Sequence, residues 1–166
     1  MKKLIWLLVC VFGFLSCSNA QTNFSKKTLK MKLIDVNNKE VVFGDVFEKY
    51  KGKTIVMEVW ASWCGDCVKA MPKMKELQAN NPEAVYLFVS MDKEFEKWKA
   101  GIEKHDLKGE HIWANDPKMM KGAFGKSIDL DWIPRYMIID KNQNIVLYRA
   151  IETDFDKINA TLKSLK

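Results

Sequence analysis

Histidine is nearly absent from this chain: His105 and His111 are the only two in 166 residues. Cysteine is also scarce, with four residues, of which Cys10 and Cys17 fall close to the start. A structural zinc site takes four ligands, and neither histidine sits in a ligand-like cluster, so no metal site is expected from this stock. Long basic runs are missing too. Only Lys2 and Lys3 of the 27 basic residues precede residue 21, leaving 25 to face 21 acidic ones along the rest of the chain. Those lysines are scattered among acids and read as a solvated surface, which argues against a nucleic-acid partner. There is no internal repeat and no composition break that marks a second domain, and the length suits one domain with a substantial core.

The longest early apolar run, Leu4 to Leu15, has twelve residues and is too short to span a bilayer comfortably. Behind Lys2-Lys3 it has the pattern of a signal peptide. Ser18-Asn19-Ala20 before Gln21 offers small residues at −3 and −1 of a cleavage site. Phe14-Leu15-Ser16-Cys17 loosely resembles a bacterial lipobox, with Phe14 a poor match, and makes Cys17 a candidate lipidation site. An uncleaved anchor is the third reading. The expected division is residues 1–20 as signal peptide or lipoprotein signal, 21–28 as polar tether, and 29–166 as one folded domain. The expected location is the periplasm or cell envelope, with a lipid anchor if Cys17 is processed.

Either processing route leaves Cys64 and Cys67 as the only thiols of the folded domain. They lie in Trp60-Ala61-Ser62-Trp63-Cys64-Gly65-Asp66-Cys67, where an apolar strand gives way to a helix. A loop this short gains little entropic stabilisation from a disulfide, so the pair reads as chemistry rather than as a staple. The start of a helix offers unpaired N–H groups and a positive dipole end, and both favour the thiolate that attacks disulfides.

Leu29–Val36 and Val41–Phe43 flank Asn37-Asn38-Lys39 and predict a hairpin. Asp45–Tyr50 predicts one helical turn. Thr54–Trp60 is apolar on both faces except at Glu58, as in a central parallel strand. Cys67, Met71, Met74 and Leu77 predict a helix over 65–79, with Pro72 inside it. Ala84–Val89 predicts a second buried strand. Asp92 is the expected cap of a helix with Phe95, Trp98 and Ile102 on one face. Residues 109–114 suit a short strand, Asp116-Pro117 a helix start, and 136–139 with 145–148 a second hairpin. Thr153 and Asp156 suggest a capping box for a last helix carrying Phe155, Ile158, Leu162 and Leu165.

This order, with Trp-Cys-x-x-Cys opening the first long helix, resembles the thioredoxin superfamily. The N-terminal hairpin, the export signal and the insertion between residues 91 and 130 look like its TlpA/ResA branch of exported thiol–disulfide oxidoreductases. The resemblance spans about residues 29–166 and implies an α/β thioredoxin-like fold: a central mixed β-sheet flanked by helices, an N-terminal β-hairpin and an α-rich insertion. It implies that Cys64 is the nucleophile and Cys67 the resolving thiol. Ile133-Pro134 matches the family's cis-proline loop, and Glu58 falls where the family often places a buried acid.

On that footing Glu58 is the expected proton acceptor for Cys67, its pKa raised by burial. Trp63, Gly65, Asp66, Ile133, Pro134 and Arg135 are the expected substrate-binding residues, with Arg135 steering acidic substrates, stabilising a thiolate, or lying idle on the surface. Trp60 is expected in the core, and Trp98, Trp113 and Trp132 in packing roles. Asp66 departs from the usual proline, and its charge disfavours a neighbouring thiolate, which leans toward reduction rather than oxidation. No dissociable cofactor is implied. The implied partners are disulfide-containing exported proteins and an upstream thiol reductant, and the chain is expected to act as a monomer. Two rivals stay open: a disulfide oxidase or isomerase, and a copper carrier using the cysteine pair with His111. A peroxidase is disfavoured because Ala61 stands where a peroxidatic site needs threonine.

Overall fold

Residues 21–166 are described by a computed structural model; the expected signal segment, with Cys10 and Cys17, lies outside the described residues. The strands are β1 (Lys32–Asp35), β2 (Glu40–Val42), β3 (Ile55–Trp60), β4 (Val85–Ser90), β5 (Glu110–Trp113), β6 (Arg135–Ile139) and β7 (Ile145–Ala150). The helices are α1 (Lys26–Leu29), α2 (Phe43–Lys49), α3 (Gly65–Asn80), α4 (Phe95–His105), α5 (Ala123–Ser127) and α6 (Phe155–Ser164). The sheet runs β2-β1-β5-β4-β3-β6-β7.

Every residue of β3 is buried, as its two-faced apolar pattern requires. It pairs parallel with β4 and antiparallel with β6, while β4 pairs parallel with β5. The parallel strands need crossovers, which α3 and α4 supply. Both crossovers step the same way along the sheet, so right-handed connection places both helices on one face. Tyr86 of β4 donates to the Leu77 carbonyl of α3 at 3.0 Å, and Trp113 of β5 stacks on Trp98 of α4. Alternation along the strands then puts Val56, Glu58 and Trp60 beneath those helices. The expected mixed sheet, N-terminal hairpin and α-rich insertion are all present, and the insertion also contributes β5.

Several local expectations are corrected. Residues 21–28 are not a free polar tether. Ser25 caps α1, Thr28 is fully buried, and Ile145 donates its N–H to the Thr22 carbonyl at 2.7 Å. Phe24 packs on Phe43 at 5.2 Å and Phe47 at 5.4 Å, in an aromatic cluster that Phe124 joins through Phe43. One aromatic in a polar segment is enough to dock it. Phe43 begins α2 rather than ending a strand. Asp92 does not cap α4, whose N-cap is Glu94; its carboxylate turns inward instead. Asp116 precedes a short 3₁₀ turn, Met119–Lys121, and its Oδ2 accepts from the Ala123 N–H at the start of α5. The Thr153–Asp156 capping box does not form; Asp154 is the N-cap of α6 and accepts from Ile151 N–H.

Docking of the N-terminal segment has a direct consequence. Phe24→Ala removes a ring that is 8% exposed, and should destabilise the domain by about 3 kcal/mol. Urea denaturation of the chain from residue 21 measures this. A loss under about 0.5 kcal/mol, the surface norm, would mean the segment is a tether after all.

Candidate active site

After Trp60 the chain leaves the sheet in a tight turn, with Cys64 N–H donating to the Ala61 carbonyl at 3.1 Å. The turn delivers Cys64 to the N-cap position of α3, in an extended conformation that halts the strand and starts the helix. Its sulfur accepts the Cys67 N–H at 3.1 Å and is bonded to Cys67 Sγ. Cys64 reaches the surface with 6% exposure, whereas Cys67 has none. The outer sulfur is therefore the accessible one of the pair, and the inner one is sealed from solvent. Gly65 is exposed, with open space where a Cβ would stand, so nothing crowds the approach to Cys64. Asp66 lies 3.7 Å from Lys69 in a solvent-exposed pair, so its charge is partly neutralised and screened.

Opposite the disulfide, the Ile133–Pro134 peptide bond is cis, and the Ile133 carbonyl lies 3.6 Å from Cys64 Sγ. Arg135 is turned into its own loop, its side chain 12% exposed. Its Nε donates to Asp131 Oδ1 at 3.0 Å and its Nη1 to the Pro134 carbonyl at 2.9 Å, which braces this loop. Arg149 also pairs with Asp131. Burial opposes ionisation of Asp131, yet the two guanidinium groups outweigh it and lower its pKa to about 2. Arg135 is therefore a loop brace rather than a free cation.

Trp63 and Trp132 are 53% and 57% exposed and line one recess with Cys64, Gly65, Asp66, Met120 and Ile133. Trp63 is where the sequence places it. Trp132 is not: expected as a packing residue, it stands out in solvent beside the disulfide. Its position immediately before Ile133-Pro134 was the available signal. Trp60, Trp98 and Trp113 are buried as expected.

Glu58 is 3% exposed, and Tyr136 O–H donates to its Oε1 at 3.4 Å. Burial pushes its pKa up from 4.5 to about 8, with the tyrosine bond opposing weakly. Among the described residues it has no ion-pair partner. The result is a carboxyl group that can take or give a proton near neutrality, on the sheet face covered by α3. His111 stacks on Phe88 at 5.0 Å and its Nε2 lies 3.1 Å from the Leu107 carbonyl; burial lowers its pKa. His105 sits at the far end of α4. Neither histidine shares the recess of Cys64.

Against known proteins, the sequence model of the Redoxin family matches residues 22–162. An uncharacterized protein of Haemophilus influenzae is 31% identical over 141 residues, spanning 85% of this chain and 76% of its own. Among solved structures, a Bacteroides vulgatus protein proposed to be a thiol-disulfide oxidoreductase is 27% identical, with TM-score 0.65 over 81% of this chain and 85% of that one. A thiol-disulfide oxidoreductase from Bacteroides fragilis superposes with TM-score 0.68 at 19% identity, over 82% of this chain and 96% of that one, a likeness of fold.

Burial of Glu58 sets a pH dependence. Its folded pKa, about 8, exceeds its ordinary value of 4.5, so the folded state holds the proton longer than the unfolded chain. Stability from this group is therefore full below about 4.5 and falls as pH rises toward 8. At pH 7 the accumulated cost is roughly 3 kcal/mol. Glu58→Gln should recover a large part of that at pH 7 and change little at pH 4. Denaturant titrations at both values check it; an equal effect at the two pH values would contradict a buried, neutral Glu58.

Proposed function

The chain belongs to the Redoxin family, with a thioredoxin-type fold and a closed Cys64–Cys67 pair, and from that premise we propose that it is an exported thiol–disulfide oxidoreductase working in the reducing direction. The observation that carries this reading is the graded burial of the two sulfurs. Cys64 meets solvent at the helix start beside Ile133 and Trp63, while Cys67 is sealed beneath it.

In the reduced protein, the Cys64 thiolate attacks one sulfur of a substrate disulfide. A Cys64–substrate bond forms, the substrate S–S bond breaks, and one substrate thiolate leaves. Cys67 then gives its proton to the ionised fraction of Glu58, which grows as pH approaches 8, and attacks Cys64 Sγ. The mixed disulfide breaks, the second substrate thiolate departs, and Cys64–Cys67 closes. Two electrons have passed to the substrate. An upstream thiol reductant restores the dithiol by the reverse exchange. The Cys64–Cys67 dithiol itself supplies the two electrons, so no dissociable cofactor is required.

Trp63, Trp132 and Ile133 would contact the substrate chain around its disulfide, and the open space at Gly65 admits it. The expected substrates are oxidised cysteines of other exported proteins. Export rests on the Lys2-Lys3/Leu4–Leu15 pattern. No helix among the described residues is long and apolar enough to cross a membrane; lipid on Cys17 is the membrane link we propose. Asp66 supports the reducing direction, since its charge opposes the very stable thiolate that strong oxidants need.

Insulin reduction driven by dithiothreitol tests the reading. Wild type should accelerate precipitation, Cys64→Ser should fall to the uncatalysed rate, and Glu58→Gln should slow turnover by about 10²-fold or more near pH 7. Equal rates for wild type and Cys64→Ser would overturn it.

A further inference from the structure

Asp92 sits just beyond the end of β4 and is 1% exposed. Its Oδ2 accepts the Ser62 backbone N–H at 3.0 Å and the Ser90 hydroxyl at 2.8 Å; its Oδ1 accepts the Ser62 hydroxyl at 2.7 Å. The residue is itself anchored. Its N–H donates to Ser90 Oγ at 2.9 Å, and its carbonyl accepts from Trp113 Nε1 at 2.6 Å. Among the described residues no cation pairs with this carboxylate, so three uncharged donors alone compensate a buried acid. Burying a carboxylate this way is costly, and an ordinary loop contact does not demand it.

Ser62 is the middle of the turn that carries Cys64. Beyond Trp60 the sheet ladder ends, and the Ser62 N–H has lost its strand partner. Asp92 replaces that partner. From the other side α4 presses Gly101 so close that an added Cβ would come within 2.6 Å of Ser62 Cβ. The turn is thus gripped from two elements, two residues ahead of the reacting sulfur.

We propose that Asp92 is a positioning residue for thiol–disulfide exchange: acting through Ser62, it holds the Cys64 turn so that the closed disulfide is favoured over the open dithiol. This rests on the redox reading of the same site. Two effects of the contact share a sign. A fixed turn raises the effective concentration of Cys64 against Cys67, which favours ring closure. A buried negative charge near the turn disfavours the thiolate of the open form. Both hold the protein on the reducing side. Asp92 touches neither substrate nor sulfur in this account.

The test is the equilibrium of each purified full-length variant with dithiothreitol, read by mass spectrometry after alkylation, beside a thermal melt. Asp92→Ala should shift the equilibrium about tenfold toward the dithiol, equal to about 30 mV for a two-electron couple. Asp92→Asn, which keeps one acceptor, should recover part of the shift. Ser62→Ala keeps the backbone bond and guards against loss of folding; it should shift the equilibrium about threefold the same way. The double variant should be no worse than Asp92→Ala alone, because both act through one contact. Equilibria matching wild type in folded Asp92→Asn and Ser62→Ala, whatever their melting temperatures, would overturn the proposal while leaving the redox reading intact. A wild type whose disulfide never equilibrates with dithiothreitol would remove the redox reading and the proposal with it.

Discussion

Cys64 Sγ receives the Cys67 N–H at 3.1 Å, so one atom both caps α3 and forms the solvent-facing end of the disulfide. N-caps are usually oxygen, and the larger, more polarizable sulfur here gains the helix-start N–H groups that stabilise its anion. The rest of the site follows from that placement. β3 must end at Trp60 for the turn to rise, α3 must begin at Gly65, and the Ile133 carbonyl must approach from β6's loop to close the far side. The apolar bulk of Val56, Trp60 and Phe88, all essentially inaccessible, gives this arrangement a rigid floor.

The floor also carries a liability. Among the described residues no cation pairs with the buried Glu58, and neutral-pH stability falls because of it. A core chosen for stability alone would place an apolar residue there. In the proposed exchange Glu58 takes the proton of Cys67, which would give the cost a purpose, in keeping with the tendency of strongly shifted acids to cluster at working sites. Asp131 is a contrast. It is also a perturbed carboxylate, but two arginines lower its pKa, and its role is to hold the Ile133–Pro134 loop rather than to move protons.

Features that depend on period and local pattern were legible in the sequence. The two-faced apolar runs of β3 and β4, the spacing of Cys67, Met71, Met74 and Leu77, and the Cys-x-x-Cys motif all lie where they were expected. The order of elements and Ile133-Pro134 carried the likeness of fold. What the sequence hid was set by tertiary contact. Asp92 before an apolar helical face looks like a cap, and only the return of β4 beside the Ser62 turn shows where its carboxylate goes. Trp132 looks like packing until the loop geometry turns it outward. Phe24 looked incidental in a polar stretch until Phe43 and Phe47 formed a place for it. Arg135 reads as a surface cation because its partner Asp131 is four residues back across a turn that no periodicity announces.

In the proposed direction of work, a low-lying, reversible Cys64–Cys67 couple delivers electrons outward. Its reduction potential, measured by equilibration against a reference dithiol at pH 7, tests this most directly. A value near the −270 mV of thioredoxin or below it is expected; a value near the −120 mV of a strong oxidant would rule out the reducing direction.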